Sequence, residues 1–272
     1  MARILAIANQ KGGVGKTTTS VNLAACLAAT RRRVLLVDLD PQGNATMGSG
    51  VDKARLQATS CEVLLGECTL GDALVREVAA GYALLPANGD LTAAEVELMT
   101  RPESEQRLKL ALAPILADYD YIVIDCPPAL NMLTLNALVA AQGVVIPMQC
   151  EYYALEGLTA LLDTVEQIRS TLNFDLRVEG LLRTMYDPRN KLANDVSAQL
   201  LAHFPEQVFN TIIPRNVRLA EAPSHGLPAI MYDKQSQGAR AYLALAGEML
   251  RREMKEQTAP ATTTAPDTAP VA

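Results

Sequence analysis

Short apolar runs alternate along the chain with longer stretches in which apolar residues recur every three or four positions. The runs are RILAIAN (3–9), RVLLVDLD (33–40), YALLPA (82–87), YIVIDCP (121–127), GVVIPMQ (143–149), VEGLLRTMY (178–186) and VFNTIIP (208–214). They are apolar along most of their length, as strands buried on both faces are. Between them, residues 15–30, 104–119, 155–172 and 192–204 carry helical spacing, and a further helical stretch, 237–254, follows the last run. This alternation predicts a doubly wound α/β fold: one mostly parallel sheet of about seven strands, right-handed crossovers and helices on both faces. No repeat or linker divides the chain, so a single domain is expected over residues 1–255. After Glu256 the sequence becomes QTAPATTTAPDTAPVA. Residues 256–272 therefore read as a disordered tail with no core residues.

Composition narrows the function classes. The 272 residues carry a net charge of −6, which argues against a broadly basic nucleic-acid binder but leaves room for a local basic patch. The five cysteines are scattered without a C-x-x-C pair, and there are two histidines, so neither a zinc site nor a disulfide framework is visible. The N-terminal apolar run is too short for a signal peptide, and no stretch is long enough to span a membrane. A soluble cytoplasmic protein with free thiols is expected.

The chemistry concentrates in NQKGGVGKTTTS, Asn9 to Ser20. It follows the phosphate-loop pattern G-x-x-x-x-G-K-[ST], except that Gln10 stands where the first glycine belongs and a second lysine, Lys11, follows it. Gly12, Gly13 and Gly15 let consecutive backbone N–H groups, with that of Val14, turn inward toward phosphate oxygens, and the following helix adds its partial positive charge. Lys16 would neutralise β- and γ-phosphate charge, Thr17 would take one Mg²⁺ position, and Thr18 continues the cradle. Gln10 leaves that cradle intact. Lys11 has two readings: a solvated surface lysine, or a charge given to the phosphates of a second subunit. Physical argument leaves both open. Asp125 ends an apolar strand, where a carboxylate can hold a Mg²⁺ water. Asp38 and Asp40 end another, and period-two geometry places both on one side.

KGGVGKTT resembles the deviant phosphate loop of the ParA/Soj/MinD partition ATPases, in which the first lysine reaches across a nucleotide-sandwich dimer. VLLVDLDPQGNAT (34–46) is similar to that family's second acidic motif and YIVIDCPPAL (121–130) to its Mg²⁺-side motif. TIIPRNVRLAEAPSHGLP (211–228) matches the chromosomal ParA/Soj branch. The similarity covers about residues 2–250. It implies ATP and Mg²⁺ as cofactors, with Lys11 acting in trans, Asp40 orienting the attacking water, and Asp38 supporting the metal region beside Thr17 and Asp125. It also implies that Met185, Pro214 and Asn216 border the purine. YDPRNK and PRNVR lie where Soj-like proteins carry arginines for sequence-independent DNA binding. Arg189 and Arg218 match best, with Lys191 and Arg215 beside them.

The implied protein is a homodimer with ATP sandwiched between subunits. It would bind double-stranded DNA non-specifically on the nucleoid, and a ParB-type centromere-binding protein would stimulate its hydrolysis. Other readings are the same switch moving a different cargo, a metabolic ATP-dependent ligase, and a MinD-like protein on a membrane. In the last, YLALAGEMLRREMKE would lie on lipid, although it reads more simply as the last core helix. An iron–sulfur relative would need shared cysteines, and Cys126 and Cys150 read as small buried residues.

Overall fold

A computed structural model of the chain describes residues 2–258. All seven apolar runs form strands: β1 (Arg3–Ile7), β2 (Val34–Asp38), β3 (Ala83–Leu85), β4 (Tyr121–Asp125), β5 (Gly143–Gln149), β6 (Arg177–Tyr186) and β7 (Val208–Pro214). They make one sheet in the order β3-β2-β4-β1-β5-β6-β7, and every ladder is parallel. The helices are α1 (Lys16–Ala29), α2 (Asn44–Gly48), α3 (Ser60–Leu65), α4 (Leu70–Ala73), α5 (Leu91–Leu98) and α6 (Arg107–Leu112). They continue with α7 (Met132–Ala140), α8 (Ala154–Thr171), α9 (Lys191–His203), α10 (Val217–Glu221), α11 (Ala229–Tyr232) and α12 (Gln237–Thr258).

The strands alternate side chains between two cores, which is why they need apolar residues at every position. Ile4, Ala6, Leu35, Val37, Ile122 and Ile124 meet α3 and α5 to α9 on one face. Leu5, Ile7, Val34, Leu36 and Val123 meet α1, α2 and α10 to α12 on the other. Tyr242, Leu245, Ala246 and Met249 are buried in that second core, so the apolar face of α12 is occupied by the protein itself.

Two expectations are amended. Residues 104–119 do not form one helix. A 3-10 turn, α6 and a second 3-10 turn (Ala113–Ile115) succeed one another, with Pro114 in the first turn of the last. Proline has no N–H to continue an α ladder and disfavours helix in the residue before it. The expected boundary at 255/256 falls inside α12, where Glu256 ion-pairs with Arg3 and Arg177. Residues 259–272 of the expected tail lie outside the described residues.

The free edge at β7 is closed by a side chain. Glu248 of α12 accepts the amides of Asn210 and Thr211, both at 2.8 Å, and Arg252 donates to the Val208 carbonyl at 3.0 Å. At the centre of the sheet, the connection from β1 runs to β2 on one side, and the connection from β4 crosses β1 to reach β5 on the other. A crevice therefore opens at the carboxyl ends of the strands, and the residues expected to bind nucleotide or metal gather at it, apart from Lys11.

Candidate functional site

Beyond β1 the chain forms a loop that only its glycines permit. Gly13 and Gly15 adopt φ of 72° and 89°, in the left-handed region, and Gly15 caps the N-terminus of α1. A Cβ on Gly12 or Gly13 would meet nothing within 4 Å, so the cradle is open toward the crevice. Two contacts fix its shape: Thr184 at the end of β6 donates its hydroxyl to the Val14 carbonyl at 2.7 Å, and Lys16 Nζ donates to the Lys11 carbonyl at 3.1 Å. Lys16 is 6% exposed. Burial pulls its ammonium below the ordinary value, while Asp125, Cys126 and Asp40 push it back up. A poorly hydrated cation at a helix N-terminus is suited to a polyanion.

Behind the loop, Asp38 and Asp125 are register neighbours on β2 and β4, and both are fully buried. Burial raises both carboxyls above the usual range, and for Asp125 the charge of Asp38 adds to it against the hydroxyls of Ser20 and Thr17. Ser20 donates to Asp125 Oδ1 at 2.7 Å, whereas Asp125 Oδ2 is buried with no hydrogen-bond partner. An unpaired carboxylate oxygen beside a second carboxylate and a Thr hydroxyl is a fitting place for a hydrated Mg²⁺. Among the described residues no group of three or more acidic, His or Cys side chains could hold a metal alone. A metal there would need oxygens from the nucleotide and water.

The two aspartates of β2 separate. The strand stops at Asp38, so its alternation does not carry on to Asp40. Asp38 Oδ1 accepts the Asp40 amide at 3.1 Å, and Oδ2 accepts the Thr46 amide and hydroxyl, both at 2.8 Å. Both oxygens of Asp38 are thus used in holding the turn. Asp40, 8% exposed, lines a cavity of about 520 Å³ together with the loop glycines, Lys16, Thr17 and Thr18. Cavities of about 300–1,000 Å³ are usual for small molecules. A larger groove, about 1060 Å³, runs between α12 and β7, but its walls mix Arg and Lys with Glu and it has no phosphate cradle.

The far wall of the first cavity carries Met185, Pro214 and Asn216, joining the expected base-side residues to the phosphate side. Asn216 Oδ1 is buried and unpartnered. Met185 has φ 48°, a left-handed conformation unusual for a side chain of this kind. Arg215, expected on the DNA-facing surface, also lines this cavity.

Lys11 lies outside the cavity. Its amide donates to Asn9 Oδ1 at 2.9 Å, and its ammonium forms an ion pair with Glu151 just beyond β5, both side chains about half exposed. Arg189 and Lys191 follow β6, and Arg218 lies on α10. Sequence reading did not single out Ser20, Thr46, Glu151 or Thr184. Ser20 is legible as the residue one turn after Lys16 on the same helix face; the others become neighbours only through strand order. Cys126 and Cys150 are buried, and burial pushes the Cys150 thiol up to about 11.

A backbone cradle at a helix N-terminus, with a buried lysine in it and strand-end aspartates behind it, defines a phosphate-loop nucleoside triphosphatase. Residues 2–178 match the family model described as an AAA domain. The chain is 52% identical to the sporulation initiation inhibitor protein Soj of Bacillus subtilis strain 168, over 92% of this chain and 98% of that protein. It is 51% identical to the chromosome partitioning protein ParA of Myxococcus xanthus strain DK1622, over 93% of this chain and 89% of that one. Among solved structures, the cobyrinic acid a,c-diamide synthase of Mycobacterium smegmatis, with bound ATP analogue and magnesium, aligns at TM-score 0.83 and 41% identity. That alignment covers 96% of this chain and 99% of the other. The chain belongs to the ParA/Soj family of chromosome-partitioning ATPases, within the ParA/MinD superfamily.

Proposed function

We propose that the chain is an ATP-driven dimerising switch. With ATP it pairs and holds double-stranded DNA without sequence preference, and hydrolysis, stimulated by a ParB-type partner, releases it. The supporting observation is Lys11. The cradle is complete without it, and its ammonium stands at the rim on Glu151, where a second copy's phosphates can reach it.

Thr17 and Asp125 Oδ2 would hold a Mg²⁺ and its waters, and that ion supplies charge neutralisation on the phosphates. Lys16 and the amides of Gly12 to Thr18 bind and orient the triphosphate. Asp40 places the attacking water. Asp38 acts one layer back, fixing the Asp40 turn. Asn216, Met185 and Pro214 border the base. Lys11 from the partner copy adds charge when hydrolysis begins, so turnover and pairing are coupled.

Arg189, Arg218, Lys191 and Arg215 would meet DNA phosphates, and pairing doubles them on a chain that is acidic overall. The test uses Asp40→Ala protein and random-sequence duplex with ATP, with ADP or without nucleotide, across a salt series. Tight, salt-sensitive binding with ATP only is expected. No binding in any state would remove DNA as the partner. The likeness to the M. smegmatis synthase favours a second reading, ATP-dependent amidation of a small acid; acid-dependent turnover by a monomer would establish it.

A further inference from the structure

The cations expected to meet DNA differ in how they are held. Arg189 places its guanidinium fork on Asp187, with Nε to Oδ1 at 2.9 Å and Nη2 to Oδ2 at 2.8 Å. Its side chain is otherwise 89% exposed, so nothing else fixes it. Arg218 is held similarly, Nη1 to Glu221 Oε2 at 2.7 Å and Nε to Asp233 Oδ2 at 3.4 Å. Among the described residues Lys191 and Arg215 form no ion pair. Asp187 also faces Arg215 across a recess of about 150 Å³, and both guanidiniums hold its carboxyl down at about 2. Asp187 therefore acts as the counter-ion of a small basic group at the exit of β6. It stands two residues beyond Met185 in the nucleotide cavity.

We infer that Asp187 gates this basic group: its carboxylate occupies the Arg189 fork, and a DNA phosphate binds by displacing it. The inference rests on the non-specific DNA reading above and adds to it how small anions are refused. A carboxylate and a phosphate offer the fork the same two-point geometry. A lone phosphate that displaces Asp187 exchanges one such pair for another and gains little. A duplex offers a row of phosphates, so several exchanges occur together and condensed counter-ions are released. Exposed ion pairs contribute little to folding, so the carboxylate can leave without disturbing the fold. The acidic partner thus favours a polymer over free phosphate or nucleotide, and a paired protein over a single subunit.

Asp187→Asn separates charge from structure. The Arg189 amide donates to Asp187 Oδ1 at 3.0 Å, and an asparagine oxygen keeps that turn while losing the charge. The full-length variant is titrated with random-sequence duplex and ATP across a salt series, with inorganic phosphate as competitor. Affinity at low salt is expected to rise about threefold to tenfold, because each of two subunits contributes. The slope of log affinity against log salt should steepen by about one, and phosphate should compete more effectively than against the parent. The double variant Asp187→Asn/Arg189→Ala should fall back to the level of Arg189→Ala. Unchanged affinity and slope in Asp187→Asn, with Arg189→Ala still weakening the parent, would overturn the gate and leave the DNA reading standing. Absence of binding by the parent and all variants would overturn both. An unchanged thermal midpoint confirms that the variant is folded.

Discussion

Among the described residues four buried side-chain oxygens lack a hydrogen-bond partner, and two of them, Asp125 Oδ2 and Asn216 Oδ1, belong to residues at the crevice. An acceptor stripped of water and left unpaired costs about 1–3 kcal/mol, so Asp125 Oδ2 and Asn216 Oδ1 mark where ligand donors belong. The Asn216 side chain could have capped α10 and does not. Its carbonyl oxygen suits the amino group of adenine and repels the oxygen that guanine presents there. Asn216→Ala should weaken ATP about fivefold, the worth of one hydrogen bond of about 1 kcal/mol, leave GTP binding unchanged, and not lower the thermal midpoint. Fluorescent-nucleotide titration and a melt check this. Equal ATP affinity in parent and variant would show that the oxygen does not meet the base.

At the scale of elements, the sheet depends on how its last strand is finished. β7 has no neighbour beyond it, and unpaired strand edges invite pairing with other chains. One carboxylate, Glu248 at 5% exposure, satisfies two of its amides and the Thr211 hydroxyl, and is itself held by Arg252 at 2.9 Å. Replacing it takes the acceptor from two edge amides and the Thr211 hydroxyl at once and leaves Arg252 without its carboxylate. Glu248→Ala should cost about 3 kcal/mol and lower the midpoint by about 6–12 °C, with concentration-dependent association appearing in light scattering. Glu248→Gln, which keeps one acceptor, should lose less. A loss under about 0.5 kcal/mol would mean that water satisfies the edge as well as the side chain does.

At the scale of the whole molecule, the two lysines of the loop are held in different surroundings. Lys16 serves its own cavity from a buried position, whereas Lys11 is held on Glu151 at the rim. Lys16→Ala should abolish ATP binding. Lys11→Ala should bind ATP with near-parental affinity yet sediment as a monomer in its presence. Sedimentation velocity with bound nucleotide separates the two, and a Lys11→Ala dimer that hydrolyses normally would return Lys11 to an ordinary surface residue.

The seven strands, and the placing of the loop, Lys16, Thr17 and Asp125 at the strand ends, were legible because each depends on local order: apolar runs, glycines at fixed spacing, a carboxylate at a strand end. Short helices such as α5 and α7 were not separated, since α7, MLTLNALVA, is apolar nearly all round and has no polar face to give it a period. The loop's nature and the fold class were therefore determined by sequence alone. Tertiary structure decided what each side chain faces. Strand order puts β4 between β2 and β1, and β5 between β1 and β6, and so sets Asp125 beside Asp38, Thr184 on Val14 and Glu151 on Lys11. These partners lie from 87 to 170 positions apart in sequence, and no local periodicity carries information over that span. The end of β2 after Asp38, which gives Asp38 and Asp40 different surroundings, likewise depends on where the sheet stops pairing.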